Sequence, residues 1–199
     1  TVTPNDGFSN GKAVSSNTVT ISNTEPIVSD IFIAPDASIY NNTGLSCSAS
    51  VTDPDESPSL DYLWTNQNGT TLGVANSLNL TSSIAMPNDI ITCQASSTDS
   101  SGESDSQSES VTIGNRDPSL SSVTITPSAG VTTSSSLTCS HVGSDSDGES
   151  PSHSYLWQNI SSGANLGITS GLTLTPSIAS PGDQIRCTTT LTDGYGGSD

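Results

Sequence analysis

The sequence predicts an all-β fold repeated in tandem, and three observations carry that prediction. Apolar residues alternate with polar ones in short runs such as "SLNLT" (Ser77 to Thr81) and "VTITP" (Val123 to Pro127), which is the period-2 pattern of strands with one buried face. The chain also repeats itself. "DPDESPSLDYLW" from Asp53 returns 92 positions later as "DSDGESPSHSYLW" from Asp145, a period that marks duplicated units. Finally, each copy holds a Cys, a Trp and a second Cys in that order: Cys47, Trp64 and Cys93, then Cys139, Trp157 and Cys187.

Each strand set follows from the self-alignment. "LSCSASVTDPDES" matches "LTCSHVGSDSDGES", "DYLW" matches "SYLW", and "LNLTSSIAMPNDIITC" matches "LTLTPSIASPGDQIRC". A unit of this length with several short strands and a Cys, Trp, Cys order is the signature of an immunoglobulin-like sandwich, in which the cysteines lie on facing sheets and the Trp packs on their bridge. Four cysteines allow three pairings, and the repeat symmetry selects Cys47–Cys93 with Cys139–Cys187. Tyr62 and Tyr155, two residues before each Trp, join Trp64 and Trp157 as expected core residues. Antibody-type domains place a Tyr two residues before the second Cys; Ile91 and Ile185 stand there instead.

Composition narrows the class further. Only 30% of the residues are hydrophobic, and no helical i, i+3, i+4 stripe of useful length occurs. Twenty acidic residues against three basic ones give a net charge of −17. Such a field repels nucleic acid and anionic membrane surfaces and favours cations. No apolar run reaches membrane-spanning length. Disulfides imply an oxidising, extracellular compartment, cell-surface or secreted. The chain begins at Thr and shows no signal peptide, so the sequence reads as a processed form or a part of something longer.

The repeat register also divides the chain. "NDGFSNGKAVSSNTVTISNTEP" (Asn5 to Pro26) matches "TDSSGESDSQSESVTIGNRDP" (Thr98 to Pro118). Residues 1–22 therefore read as the last hairpin and strand of a preceding repeat, or as a donated strand. Residues 23–114 form the first full repeat. Residues 115–199 form the second, which stops before its final strand.

The "DPDES…DYLW" block, the "TDSSGESD" turn and the "NRDP" linker resemble the tandem PKD-like and cadherin-like sandwiches of microbial surface and secreted proteins. The resemblance implies stalk, adhesive or spacer repeats with no chemistry of their own. It implies function by analogy of fold alone.

On a sandwich, the acidic loop after the first Cys strand, the "TDSSG" turn and the incoming linker share one pole. That expectation gathers Asn23, Glu25, Asp53, Asp55, Glu56 and Asp99 in the first repeat. The second set is Asn115, Asp117, Asp145, Asp147, Glu149 and Asp193. Ca²⁺ takes six to eight oxygen ligands, and cadherin-like proteins grip it between domains with the same kinds of residue. Two readings stand: one Ca²⁺ per junction, or a solvated acidic loop closed by an Asx-turn.

Four Asn-x-Ser/Thr sequons, at Asn41, Asn68, Asn79 and Asn159, are candidate glycan acceptors. His141 alternates inward from Cys139 and reads as a packed core histidine. No catalytic triad, Cys-x-x-Cys or phosphate loop occurs, so no enzyme activity is expected. Three functions remain. The first is a rigid extracellular array of repeats whose partners are its neighbours. The second is a filament of identical subunits joined by strand donation. The third is a carbohydrate- or protein-binding module of a secreted enzyme, meeting a glycan or cell-surface partner, with Phe8 and Tyr195 at turn tips as its stacking residues.

Overall fold

The computed structural model describes residues 1–199, and its regular structure is entirely strand. In the first repeat, β1 (Ile27–Ala34), β2 (Gly44–Thr52) and β5 (Ser77–Asn79) form one antiparallel sheet. The second sheet runs in the order β4 (Thr71–Gly73), β3 (Asp61–Asn66), β6 (Ile90–Thr98) and β7 (Ser104–Thr112). Cys47 on β2 is bonded to Cys93 on β6, so the disulfide ties one sheet to the other.

The same layout returns in the second repeat. β8 (Ser119–Thr126), β9 (Ser136–Ser144) and β12 (Gly171–Thr173) make one sheet; β10 (Ser152–Asn159), β11 (Ala164–Gly167) and β13 (Ile185–Thr192) make the other. Cys139 on β9 is bonded to Cys187 on β13. Both sheets of each repeat keep one face inward, because alternation puts Leu45 and Cys47, or Leu137 and Cys139, on the same side. Trp64 and Trp157 are completely buried, and each indole N–H donates to a loop carbonyl, of Ala75 at 2.8 Å and Thr169 at 2.9 Å. Tyr62 and Tyr155 are half-buried at the core margins.

The two cores differ in completeness. Eleven residues are buried in the first and seven in the second. The difference is a coherent set: Ile33, Ile39 and Ile91 are buried, whereas their counterparts Ile125 and Ile185 are only partly covered and Val131 is 42% exposed; Ile113 is the remaining buried member of the first core. In the first repeat β7 pairs along the whole of β6 and carries the chain on to Ile113. In the second, Asp199 exchanges backbone hydrogen bonds with Leu191 at the start of the same edge, leaving Ile185–Thr190 unpaired on that side.

Residues 1–25 are exposed throughout. Val2 and Val14 exchange backbone hydrogen bonds, and Asn5 bridges Asn10, so a loose hairpin is present. The strand anticipated around Val19 and Ile21 is absent, and these side chains are 82% and 85% exposed. An isolated hairpin is marginal in water, and this one has no sheet to pack on.

Candidate metal centre

The acidic poles begin with turn chemistry. After β2 the chain turns on Asp53, whose Oδ1 accepts the backbone N–H groups of Asp55 (2.7 Å) and Glu56 (3.3 Å). Between β6 and β7, Asp99 does the same, accepting from Ser101 and Glu103 at 2.9 Å each. These Asx-type turns fix each carboxylate by its own backbone.

The incoming linker then joins the two turns. The Asn23 amide donates to Asp99 Oδ2 (2.7 Å) and Glu103 Oε2 (2.8 Å), and the Thr24 N–H donates to Asp55 Oδ2 (2.7 Å). Glu56 Oε1 accepts the N–H of Ser100 at 2.7 Å. Linker, acidic loop and turn thus share one pole. Carboxylate oxygens of Asp53, Glu56 and Asp99 lie within 4.8 Å of one another. Asp55 is drawn away towards the linker backbone, and Glu25 is exposed and makes no hydrogen bond.

At the second pole, Asp145 Oδ1 accepts the Asp147 N–H (2.7 Å), and Asn115 donates to Asp193 Oδ2 (2.8 Å). Asp193 Oδ1 accepts from Tyr195 and Gly197. Oxygens of Asp145, Asp147 and Glu149 lie within 4.8 Å of one another. Gly197 occupies the position of Glu103. A side chain there would collide with the carboxylates of both Asp193 and Asp117, so this glycine is required by close approach.

Arg116 distinguishes the second pole. It stands where the first linker has Thr24, and its Nε donates to Asp147 Oδ1 at 2.9 Å while its backbone N–H donates to Oδ2 at 2.7 Å. Asp147 is fully buried. The guanidinium also reaches Asn41 Oδ1 (3.2 Å) and Ser146 O (2.8 Å), and lies 4.9 Å from the centre of the Tyr40 ring. Asn41 in turn donates to the carbonyl of Asp147, so this pole is bonded to the preceding repeat.

The electrostatics follow. The Asn23 amide, aided by turn N–H groups, holds Asp99 below the ordinary carboxylate range, and Asn115 does the same for Asp193. Glu149 is pushed up, first by burial and then by the charges of Asp145, Asp193 and Asp147. Four buried polar atoms at the poles have no hydrogen-bond partner: Asp53 Oδ2, Asn115 Oδ1, Asp145 Oδ2 and Glu149 Oε2. Buried oxygens are ordinarily satisfied, and all four are acceptors of the type a hard cation takes.

Glu103 and Arg116 are pole residues that sequence reasoning did not select. The Asn23 amide could reach Glu103 only because the turn folds back; Arg116 was visible as one of three basic residues, placed inside an acidic linker. Of the sequons, Asn68 and Asn79 are exposed. Asn41 and Asn159 are buried, and their amide nitrogens donate to Asp147 O, and to Ile178 O and Asp183 Oδ2. A glycan on either would break those bonds. His141 is half-buried rather than core, with Nδ1 3.0 Å from the Tyr155 hydroxyl and its ring 4.7 Å from that of His153. Phe8 is almost fully exposed, and Tyr195 is 36% exposed.

No family model matches the chain, and no curated protein matches it. Its class rests on the fold: an all-β chain whose facing sheets are joined by two disulfides. The disulfides point to an oxidising environment, and no helix is long and apolar enough to cross a membrane.

Proposed function

We propose that the chain is a non-catalytic extracellular structural segment, a rigid run of immunoglobulin-like sandwich repeats of the PKD-like and cadherin-like kind, stiffened by Ca²⁺ at the poles. Its partners in this reading are neighbouring repeats. The observation that carries it is the set of orphaned acceptors at equivalent places, Asp53 Oδ2 in one repeat and Asp145 Oδ2 with Glu149 Oε2 in the other. Like charges held this closely repel, and a divalent cation turns that repulsion into attraction.

In the first repeat Asp53, Glu56 and Asp99 are the ligands. In the second, Asp145, Glu149 and Asn115 are, because both oxygens of Asp147 are already committed to Arg116. At the second pole the cation holds the linker directly through Asn115, and at the first it steadies Asp99, to which the linker residue Asn23 donates, so each favours one angle between successive units.

Thermal unfolding in Ca²⁺ and in EDTA tests the metal. A higher midpoint in Ca²⁺, abolished by Asp53→Asn together with Glu149→Gln, is the expected result. An unchanged midpoint overturns the calcium part and leaves the poles as solvated acidic turns.

A further inference from the structure

The only two histidines of the chain, His141 and His153, stand together in the second repeat. They arrive from opposite sheets, His141 on β9 and His153 on β10. Strand alternation explains the meeting: His141 shares the inward face with Cys139, and His153 shares it with Tyr155 and Trp157. The two rings lie 4.7 Å apart between centres, and His141 Nδ1 is 3.0 Å from the Tyr155 hydroxyl. On this side both strands lack a neighbour at this height, because β12 pairs no further along β9 than Thr138 and β11 no further along β10 than Trp157. The pair therefore sits at an open margin of the sandwich, with His141 half-buried and His153 exposed. The first repeat is open at the same place, where β5 stops at Ser46 and β4 at Trp64.

We propose that His141 and His153 bind one divalent transition-metal ion of the Cu²⁺, Ni²⁺ and Zn²⁺ group, at a site separate from the acidic poles. The comparison between repeats is the first support. Ala49 and Leu60 hold the equivalent places in the first repeat, so an apolar pair suffices to pack this margin. Two independent replacements, one on each sheet, bring both imidazoles of the chain to one point, and packing alone asks for neither.

Spacing is the second support. Two imidazoles on one ion, with metal–nitrogen bonds of about 2.0–2.1 Å and an angle near 100°, have ring centres about 4.5–5 Å apart. The observed 4.7 Å lies in that interval. Donor type is the third. Imidazole nitrogen suits Cu²⁺, Ni²⁺ and Zn²⁺, whereas Ca²⁺ takes oxygen. His141 is also four residues from Asp145, about 13 Å at the strand rise, too far for one ion to hold both. The net charge of −17 raises the local concentration of any divalent cation, and the nitrogen pair adds the selection that carboxylates lack.

With the ion bound, the His141 Nδ1–H donates to the Tyr155 oxygen, which orients the ring and leaves Nε2 as the ligand. His153 supplies the second nitrogen. Water, or a donor from another molecule, completes the coordination at this open margin.

The site is independent of Ca²⁺ at the poles, and its test keeps the two apart. Calorimetric titration of the 199-residue chain with Cu²⁺, Ni²⁺ or Zn²⁺, in excess Ca²⁺ that competes for carboxylates, should show one equivalent bound, most tightly for Cu²⁺. The double variant His141→Ala with His153→Leu, which copies the first repeat, should lose that equivalent. Tyr155→Phe should weaken it about tenfold, as for the loss of an orienting partner. In the wild type, substoichiometric Cu²⁺ should broaden the imidazole proton resonances of both histidines before any others. Retention of the equivalent by the double variant, or imidazole signals untouched at one equivalent of Cu²⁺, would overturn the proposal. Unchanged affinity in Tyr155→Phe would overturn the role given to Tyr155. A melting midpoint indifferent to Ca²⁺ would sink the reading of the poles and leave this site standing.

Discussion

The guanidinium of Arg116 lies 2.8 Å from the carboxylate of Asp147, a side chain with no exposure to solvent. One of only three cations in the chain is thus spent on a single buried anion at the boundary of the two repeats. Removing one member of a buried pair leaves an uncompensated charge, typically at a cost of about 3–5 kcal/mol; the Arg116 N–H, which remains, offsets part of it. Arg116→Thr, which copies the first linker, should therefore lower the denaturation midpoint of the second repeat. It should also tighten Ca²⁺ binding at that pole, since Asp147 becomes free to ligate; calorimetry of the variant against wild type checks both.

Glu149 titrates above its ordinary value of 4.5 in the folded chain. A raised folded pKa contributes stability below the unfolded value and loses it as pH rises through the folded one. Metal-free protein should accordingly lose stability on this account as pH climbs from about 4.5. Glu149→Gln should remove that slope and raise the neutral-pH midpoint in EDTA, while reducing the response to Ca²⁺. Urea midpoints across pH 4 to 7 read the difference.

Asp99 and Asp193 run the other way. Their folded pKa values fall below the ordinary 3.8 through Asn23 and Asn115, so their contribution is present above about 3.8 and is lost as pH falls further. Asn23→Ala should leave Asp99 with its turn N–H groups alone. Stability should drop at neutral pH and the acid-unfolding midpoint should move upward, both visible by circular dichroism.

Ile113 has a bounded test. Ile113→Ala deletes a fully buried side chain and should cost about 2–5 kcal/mol. Hydrogen exchange should then show the β6–β7 edge opening towards the condition of β13. Protection unchanged along Ile90–Thr98 would mean that the last strand does not depend on this anchor.

Each disulfide closes a long loop, with separations of 46 and 48 residues. In the chain-entropy treatment that is worth about 4 kcal/mol each. Replacing Cys139 and Cys187 together by Ser should unfold the second repeat before the first, because its core is smaller. Two separated transitions by calorimetry are expected, against closer ones in the wild type.

The strand alternation, the 92-residue repeat and both disulfide pairings were legible in the sequence. So was the convergence of linker, acidic loop and turn on one pole. Those features are set by local periodicity, by symmetry between copies and by the number of cysteines, all of which a linear string carries. The membership of each pole was less legible. A shared pole groups Asp55 and Glu25 with the cluster, yet a backbone N–H claims the first and solvent the second.

Tertiary structure alone decided the remainder. It put Arg116 onto Asp147, buried Asn41 and Asn159 under committed amides, and paired His141 with Tyr155. Each is a contact between residues distant in the chain, whose direction depends on strand register and on how one repeat meets the next. The sequence by itself determined that the two repeats share one strand pattern. Only packing revealed that Val131, Leu174 and Ile185 line one cavity in the second repeat, because a cavity exists only once the walls around it are in place.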